Sequence, residues 1–207
     1  MRWLPLFFLY FLALGEVRSE TDIYQSYAWF SFQNNANQSL LNQRYDMLAN
    51  TIDPDLDGNV FGIFDLNDSS NLLTLHGAQA YVSDTGPGYS SGSWMYLAYR
   101  IFEYNQTPGS FSQIGIGYSG NYFNNRIFTD AAQNINLLSG LEADKTYRLQ
   151  MYLYGRSSMT GGGSVGVSDT NGGSYYTATF ATPEPSSASL LTFALSGLLA
   201  LRRRRGA

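Results

Sequence analysis

Trp94-Met95-Tyr96-Leu97-Ala98-Tyr99-Arg100-Ile101-Phe102-Glu103-Tyr104 is the stretch that decides the fold class. Its apolar residues alternate at period two, the repeat of a strand and not of a helix. Trp94, Tyr96, Phe102 and Tyr104 take one face. Met95, Leu97, Tyr99 and Ile101 take the other. A strand apolar on both faces is normally central and covered on both sides.

Similar segments lie to either side. Ile23 to Phe32 is aromatic-rich and reads as a first strand, and Val60 to Leu66 as a strand with two apolar faces. Leu72 to Val82 is another, with a bend expected at Gly77. Phe111 to Tyr118 follows the Thr107-Pro108-Gly109 turn. Ile127 and Phe128, then Asn134 to Leu138, read as short strands. In Lys145 to Tyr154, Tyr147, Leu149, Met151 and Leu153 alternate with Arg148 and Gln150, so one face is buried and the other half wet. Ser164 to Val167 and Ser174 to Ala181 close the series, the latter after the Asn171-Gly172-Gly173 turn. Leu40, Leu41, Tyr45 and Leu48 sit near helical spacing and predict a short helix over 40–48. About eight or nine strands with turn punctuation predict an all-β body, a two-sheet antiparallel β-sandwich of jelly-roll-like form.

Both ends of the chain carry signals of a different kind. Arg2 precedes an apolar run, Leu4 to Leu14, and Val17-Arg18-Ser19 offers a cleavage site before Glu20. The run is too short to span a bilayer, so residues 1–19 read as a signal peptide cut by signal peptidase. At the other end stand Pro183-Glu184-Pro185, an apolar helix over 188–201 containing Gly197, and the cluster Arg202, Arg203, Arg204 and Arg205. A helix of that length rises about 21 Å, less than the roughly 30 Å hydrocarbon core. The arginines would hold its end in the cytoplasm.

This order of signals resembles the bacterial PEP-CTERM sorting signal, and the resemblance is confined to 183–207. It implies an exosortase partner that acts near Pro-Glu-Pro, a transient stay in the inner membrane, and a body released to the cell surface or extracellular matrix. A permanent tail anchor is the competing reading. The chain thus divides into 1–19, a body over 20–181 and a sorting tail over 182–207.

The body is acidic. Residues 20 to 182 hold six Lys and Arg against fourteen Asp and Glu, a net charge of −8. Nucleic acid as partner is disfavoured, since phosphates require a basic patch. Divalent cations and neutral glycans are compatible. The chain has no Cys, which excludes disulfides, thiolate catalysis and thiolate zinc sites.

Three constellations could carry chemistry. Asp53, Asp55, Asp57 and Asn59 surround Pro54 and Gly58 in a pattern resembling the first half of an EF-hand-type loop, with oxygen ligands suited to Ca2+. It departs from that loop at the twelfth position, which is Phe64. A solvated acidic turn between strands is the other reading. His76 is the sole histidine and so the sole candidate base for a Ser-His-Asp site. No G-x-S-x-G elbow accompanies it. Glu103, Asp65 and Glu142 are the carboxylates available to a secreted glycan hydrolase.

Aromatic side chains offer the more natural site, because sugar rings stack on them through their C–H faces. Trp29, Trp94, Tyr89, Tyr118 and Tyr122, near Asn121, Asn124 and Asn125, are the candidates, and a place in the core is the other reading, for Trp94 especially. The expectation is a non-enzymatic surface or matrix protein whose body interacts with extracellular polysaccharide.

Overall fold

The computed structural model describes residues 22–34, 39–49, 51–83, 93–122, 125–158 and 164–184. The signal peptide over 1–19, Tyr89, Pro185, the apolar run over 188–201 with Gly197, and Arg202 to Arg205 lie outside the described residues. Among the described residues no helix is long and apolar enough to cross a membrane.

The body is all-β. In chain order the strands are β1 (Ile23–Gln33), β2 (Ser39–Asp46), β3 (Asn59–Ile63), β4 (Leu72–Val82), β5 (Trp94–Glu103) and β6 (Ser112–Ile116). They continue as β7 (Tyr118–Tyr122), β8 (Asn125–Asp130), β9 (Ile135–Asn136), β10 (Lys145–Ser158), β11 (Ser164–Asp169) and β12 (Tyr176–Thr182). Sheet I has the order β2-β1-β4-β8-β7, with β9 also on β4. Sheet II has the order β3-β12-β10-β5-β6, with β11 also on β10. The ladders are antiparallel except β3 with β12, which is parallel.

Alternation explains which residues form the core. On β10, Tyr147, Leu149, Met151 and Leu153 are buried, as are Met95 and Leu97 on β5. On β1, Phe30 and Phe32 take that role. Buried side chains of both sheets form one cluster. The Phe30 ring on β1 lies 4.9 Å from Phe61 on β3, a contact from one sheet to the other. Tyr45 meets the same Phe61 ring at 5.4 Å.

A buried polar bridge also joins the sheets. Ser26 Oγ on β1 donates to Asp169 Oδ2 at the end of β11, at 2.5 Å. The Tyr176 hydroxyl donates to the other oxygen, Oδ1. All three residues are buried.

The expected helix over 40–48 is instead strand β2 up to Asp46, followed by a bend. Asn42 has φ 50°, in the left-handed region that an α-helix interior does not adopt. The register with β1 shifts there, a bulge that turns Leu41 outward to 75% exposure while Tyr45 packs inward on Phe30. The apolar spacing suited either period. Pairing along β1 decided it.

The bend expected at Gly77 is a second bulge. Trp29 pairs with Gly77 and Phe30 with Leu75, leaving His76 as the extra residue. The last strand includes Thr182, which is fully buried and donates from Oγ1 to the Glu142 carbonyl at 2.7 Å. The body therefore reaches one residue beyond the expected boundary at 181, and Pro183 and Glu184 follow it exposed.

Candidate functional site

The outer face of sheet II collects the aromatic residues that the core does not use. The β5–β10 register places Tyr96 opposite Tyr154, Ala98 opposite Tyr152, Arg100 opposite Gln150 and Trp94 opposite Arg156. These share the parity that points away from Leu97 and Leu153, so their side chains stand on the outside of the sheet.

The result is a continuous row of rings. Trp94 and Tyr96 are 5.2 Å apart between centroids. Tyr96 and Tyr154 stack at 5.5 Å with planes 21° apart. Tyr154 and Tyr152 follow at 5.6 Å, and Tyr152 and Tyr175 at 5.1 Å. Phe111 meets Tyr152 edge-on at 4.9 Å. Such pairs contribute about 0.5–1.5 kcal/mol each beyond their buried area.

The row is open to solvent on one side. Trp94 is 40% exposed, and Tyr96, Tyr152, Tyr154 and Tyr175 are half-buried. Gly115 lies opposite Tyr96 and Ser168 opposite Tyr154, so the flanking strands put little bulk beside the rings. A Cβ at Gly155 would come within 2.6 Å of the Trp94 carbonyl, so glycine there permits the close approach of β10 to β5 at this end. The strand expected to be covered on both faces is thus covered by the core on one only.

Two features fix the far end of the row. Tyr175 has φ 63°, a conformation costing a non-glycine residue about 1–2 kcal/mol, and its ring lies 5.1 Å from Phe111. Arg100 lies 4.1 Å from the Phe111 ring and donates from Nε and Nη2 to Gln150 Oε1, at 2.9 and 2.6 Å. Its Nη1 donates to the Gly109 carbonyl at 3.0 Å. Burial raises the phenol pKa of Tyr154, with Tyr152 and Tyr96 adding to the shift and a hydrogen bond with Gln113 opposing it. The phenol is therefore neutral and able to donate a hydrogen bond.

The aromatic candidates read from the sequence do not meet in one place. Trp29 is on β1, while Tyr118 and Tyr122 are on β7 at the sheet margin, 54% and 57% exposed. With β4 and β8 between them, the separation is about 14 Å at the usual strand spacing. Tyr118 donates to Asn121 Oδ1 at 3.0 Å. What sequence reasoning missed is the set of rings around Trp94, namely Tyr96, Tyr152, Tyr154, Tyr175 and Phe111. Its signal was present in the shared parity of Tyr152 and Tyr154 with Arg148 and Gln150 on a face already read as half wet.

In the acidic loop, Asp53 and Asp57 turn their carboxylates toward separate protein donors. Asp53 Oδ2 accepts from Arg44 at 2.6 and 2.8 Å. Asp57 Oδ1 accepts from Thr177 N and Oγ1 at 2.9 and 3.0 Å, and its Oδ2 from Asn171 Nδ2 at 3.0 Å. Asn59 Nδ2 donates to the Asp55 carbonyl at 3.1 Å. Among the described residues no group of three or more His, Asp or Glu is placed to hold a metal. A cleft of about 510 Å³ nearby is lined in part by Asp22, Asp57, Asp169 and Tyr176. Asp57 and Asp169 already accept hydrogen bonds within the protein there.

His76 is held from both sides, with Nδ1 2.6 Å from Asn134 Oδ1 and Nε2 2.7 Å from Ser31 Oγ. Ser31 is buried and its Oγ also accepts from Asn42 N at 2.9 Å. The network braces two bulges, one beside Asn42 and one at His76. Glu103 pairs with Lys145 at 3.1 Å, and Asp65 Oδ1 accepts from Asn67 N in a turn at 2.9 Å. Glu142 serves through its backbone, accepting from Tyr147 and Thr182. No protein-family model, no curated protein and no solved structure matches the chain.

Proposed function

We propose that this is an exported bacterial surface or matrix protein, sorted by an exosortase, whose β body binds extracellular polysaccharide without turning it over. The observation that carries the binding reading is the open ring row on sheet II. Trp94, Tyr96 and Tyr154 lie in mutual contact, and Tyr152 joins them to Tyr175 and Phe111, so the face offers a broad aromatic surface on which sugar rings can stack. Phenolic hydroxyls along the row and Gln113 beside it supply neutral hydrogen-bonding groups. A row lets a polymer bind through several weak contacts at once, which suits retention in a matrix.

The finer architecture belongs to the same reading: a sandwich of jelly-roll kind. Such folds spread two Greek keys over two sheets. Support comes from the crossings at β2–β3, β3–β4, β4–β5, β6–β7 and β9–β10, and from the shared core. The last strand departs from that plan, since β12 lies between β3 and β10 while β1 pairs directly with β4.

The sorting reading rests on the tail sequence and is supported by where the body ends. Thr182 is buried, and Pro183 and Glu184 are exposed directly after it, accessible to a processing enzyme. The intact mass of the native protein should lack the leader and end near Pro185, in a surface or extracellular fraction. A full-length tail in the inner membrane would contradict sorting and favour a permanent anchor.

Binding is tested by affinity electrophoresis through gels cast with polysaccharide. The paired change Trp94→Ala and Tyr154→Ala should weaken retention about tenfold or more, at 1.4 kcal/mol per factor of ten. Tyr118→Ala, at the margin of sheet I, should leave it unchanged. Equal retention of all three proteins would place binding elsewhere.

A further inference from the structure

The polymer read above is not neutral: we propose that the outer face of sheet II binds an acidic polysaccharide, one bearing carboxylates such as uronates, with Arg156 at one end of the ring row and Arg148 beyond its other end on the same strand. This inference rests on the polysaccharide reading and names its ligand class.

Charge is segregated within the body. It holds six Lys and Arg and fourteen Asp and Glu between residues 20 and 182. Three of the six cations, Arg100, Arg148 and Arg156, lie on the outer face of sheet II by strand parity. Among the described residues no carboxylate is an outward-facing strand residue of that face. Its outward residues on β10 are Thr146, Arg148, Gln150, Tyr152, Tyr154 and Arg156. On β12 they are Thr177, Thr179 and Ala181. At the rim, Asp57 accepts from Thr177 and Glu103 pairs with Lys145, while Asp144 is exposed in the cleft beside Tyr104 and Thr179.

The remaining cations differ in how they are used. Arg44 and Lys145 each have a carboxylate partner, at 2.6 and 3.1 Å. Arg100, Arg148 and Arg156 have none among the described residues. Arg100 is tied to Gln150 and Gly109. Arg148 lies 4.4 Å from the Tyr104 ring, and its buried Nε has no hydrogen-bond partner. Arg156 is exposed, with Nε donating to Ser164 Oγ at 2.7 Å. A guanidinium without an internal anion, set on an aromatic face, can pair with a ligand carboxylate while a ring stacks the sugar.

The distances suit a polymer. Arg148 and Arg156 are eight residues apart on one strand, about 27 Å at the usual rise. Tyr152 and Tyr154 lie between them on β10, with Gln150 and its partner Arg100 next to Arg148. A small anion would use one end, whereas a chain of several sugars reaches both. The net negative charge of the body repels such a chain, so the face that carries three arginines is where it can dock.

The test is biolayer interferometry of the purified full chain on two immobilised probes, sodium polygalacturonate and a neutral glucan of matched length. At 50 mM NaCl the polyuronate should bind at least about tenfold tighter, and raising salt to 300 mM should remove most of that difference. The double change Arg148→Gln and Arg156→Gln should lower polyuronate affinity about tenfold. Arg156→Lys, which keeps the charge, should retain most of it. Thermal melting of each variant controls for folding, and Arg156→Gln alone provides an exposed-site change should the double variant melt early. Equal, salt-independent affinity for both probes would overturn the acidic-ligand inference and leave the polysaccharide reading standing. Binding to neither probe would overturn both.

Discussion

Gly77→Ala should be among the most damaging single substitutions in this protein, costing about 3 kcal/mol or more of stability. Gly77 has φ 136°, outside the range of L side chains, and sits at the bulge where β4 leaves register with β1. A Cβ built there would lie 1.9 Å from the Asp130 carbonyl oxygen and 2.8 Å from its carbon. Both are backbone atoms, so no side chain can rotate away. Relief requires β4 and β8 to separate where Ala78 pairs with Asp130. Gly172→Ala provides the comparison, since φ there is 63° and nothing lies within 4 Å of the added carbon. It should cost only about 1 kcal/mol, the conformational part alone. Urea midpoints for the two variants measure the difference. Equal midpoints would mean that β4 and β8 are not as closely apposed as described.

The second large effect concerns the polar bridge between the sheets. Asp169→Ala removes the acceptor of both the Ser26 and Tyr176 hydroxyls and leaves two buried donors without partners. At pH 4 the cost should be about 3 kcal/mol, because each buried unsatisfied group costs roughly 1–3 kcal/mol. The pH dependence has a definite sign. Burial raises the Asp169 pKa above its ordinary 3.8, and the hydrogen bonds from Ser26 and Tyr176 oppose that shift only in part. The folded state therefore holds this proton more tightly than the unfolded chain. The stability it contributes is fully present below the ordinary value and is lost as pH rises through the raised one. Tyr176 shifts upward too, through burial and then its bond to Asp169, so its hydroxyl stays protonated and donating. Asp169→Ala should accordingly cost less at pH 7 than at pH 4. Asp169→Asn, which cannot ionise, should gain on the wild type as pH rises between those values. A penalty for Asp169→Ala that grows with pH would show that the carboxylate is stabilised, and not penalised, by its surroundings.

Much of the strand framework was legible because burial on one face imposes period two. Ile23 to Phe32, Leu72 to Val82, Trp94 to Tyr104 and Lys145 to Tyr154 all match strands of the structure to within a few residues. The segment over 40–48 was misread because Leu40, Leu41, Tyr45 and Leu48 satisfy a helical spacing. Only the partner strand β1 and the left-handed Asn42 exclude it. The region from Phe111 to Tyr118 divides into β6 and the start of β7, which join different sheets, a sheet change that local pattern does not encode.

The candidate site was less legible than the fold. Aromatic residues on both faces of Trp94 to Tyr104 suggest double burial, yet only the face of Met95 and Leu97 is buried. The ring row depends on pairing Tyr96 with Tyr154, residues 58 positions apart, and on Tyr175 in a conformation that its identity disfavours. Neither can be read from a local window. The acidic loop shows the converse. Alternation of Asp53, Asp55 and Asp57 is legible locally, whereas the bonds that Arg44, Thr177 and Asn171 make to two of those carboxylates come from elsewhere in the chain and are not. Net charge likewise gives no distribution: −8 over the body coexists with one face that has three arginines and no outward carboxylate on its strands.

The most direct test is the emission of Trp94 during a polysaccharide titration. The chain has three tryptophans, so Trp3→Phe and Trp29→Phe leave Trp94 as the sole reporter, 40% exposed at the end of the row. Sodium polygalacturonate should produce a saturable blue shift and quench as sugar displaces water from the indole. Unchanged emission under conditions where the polysaccharide retains the protein would contradict the assignment of the binding face to sheet II.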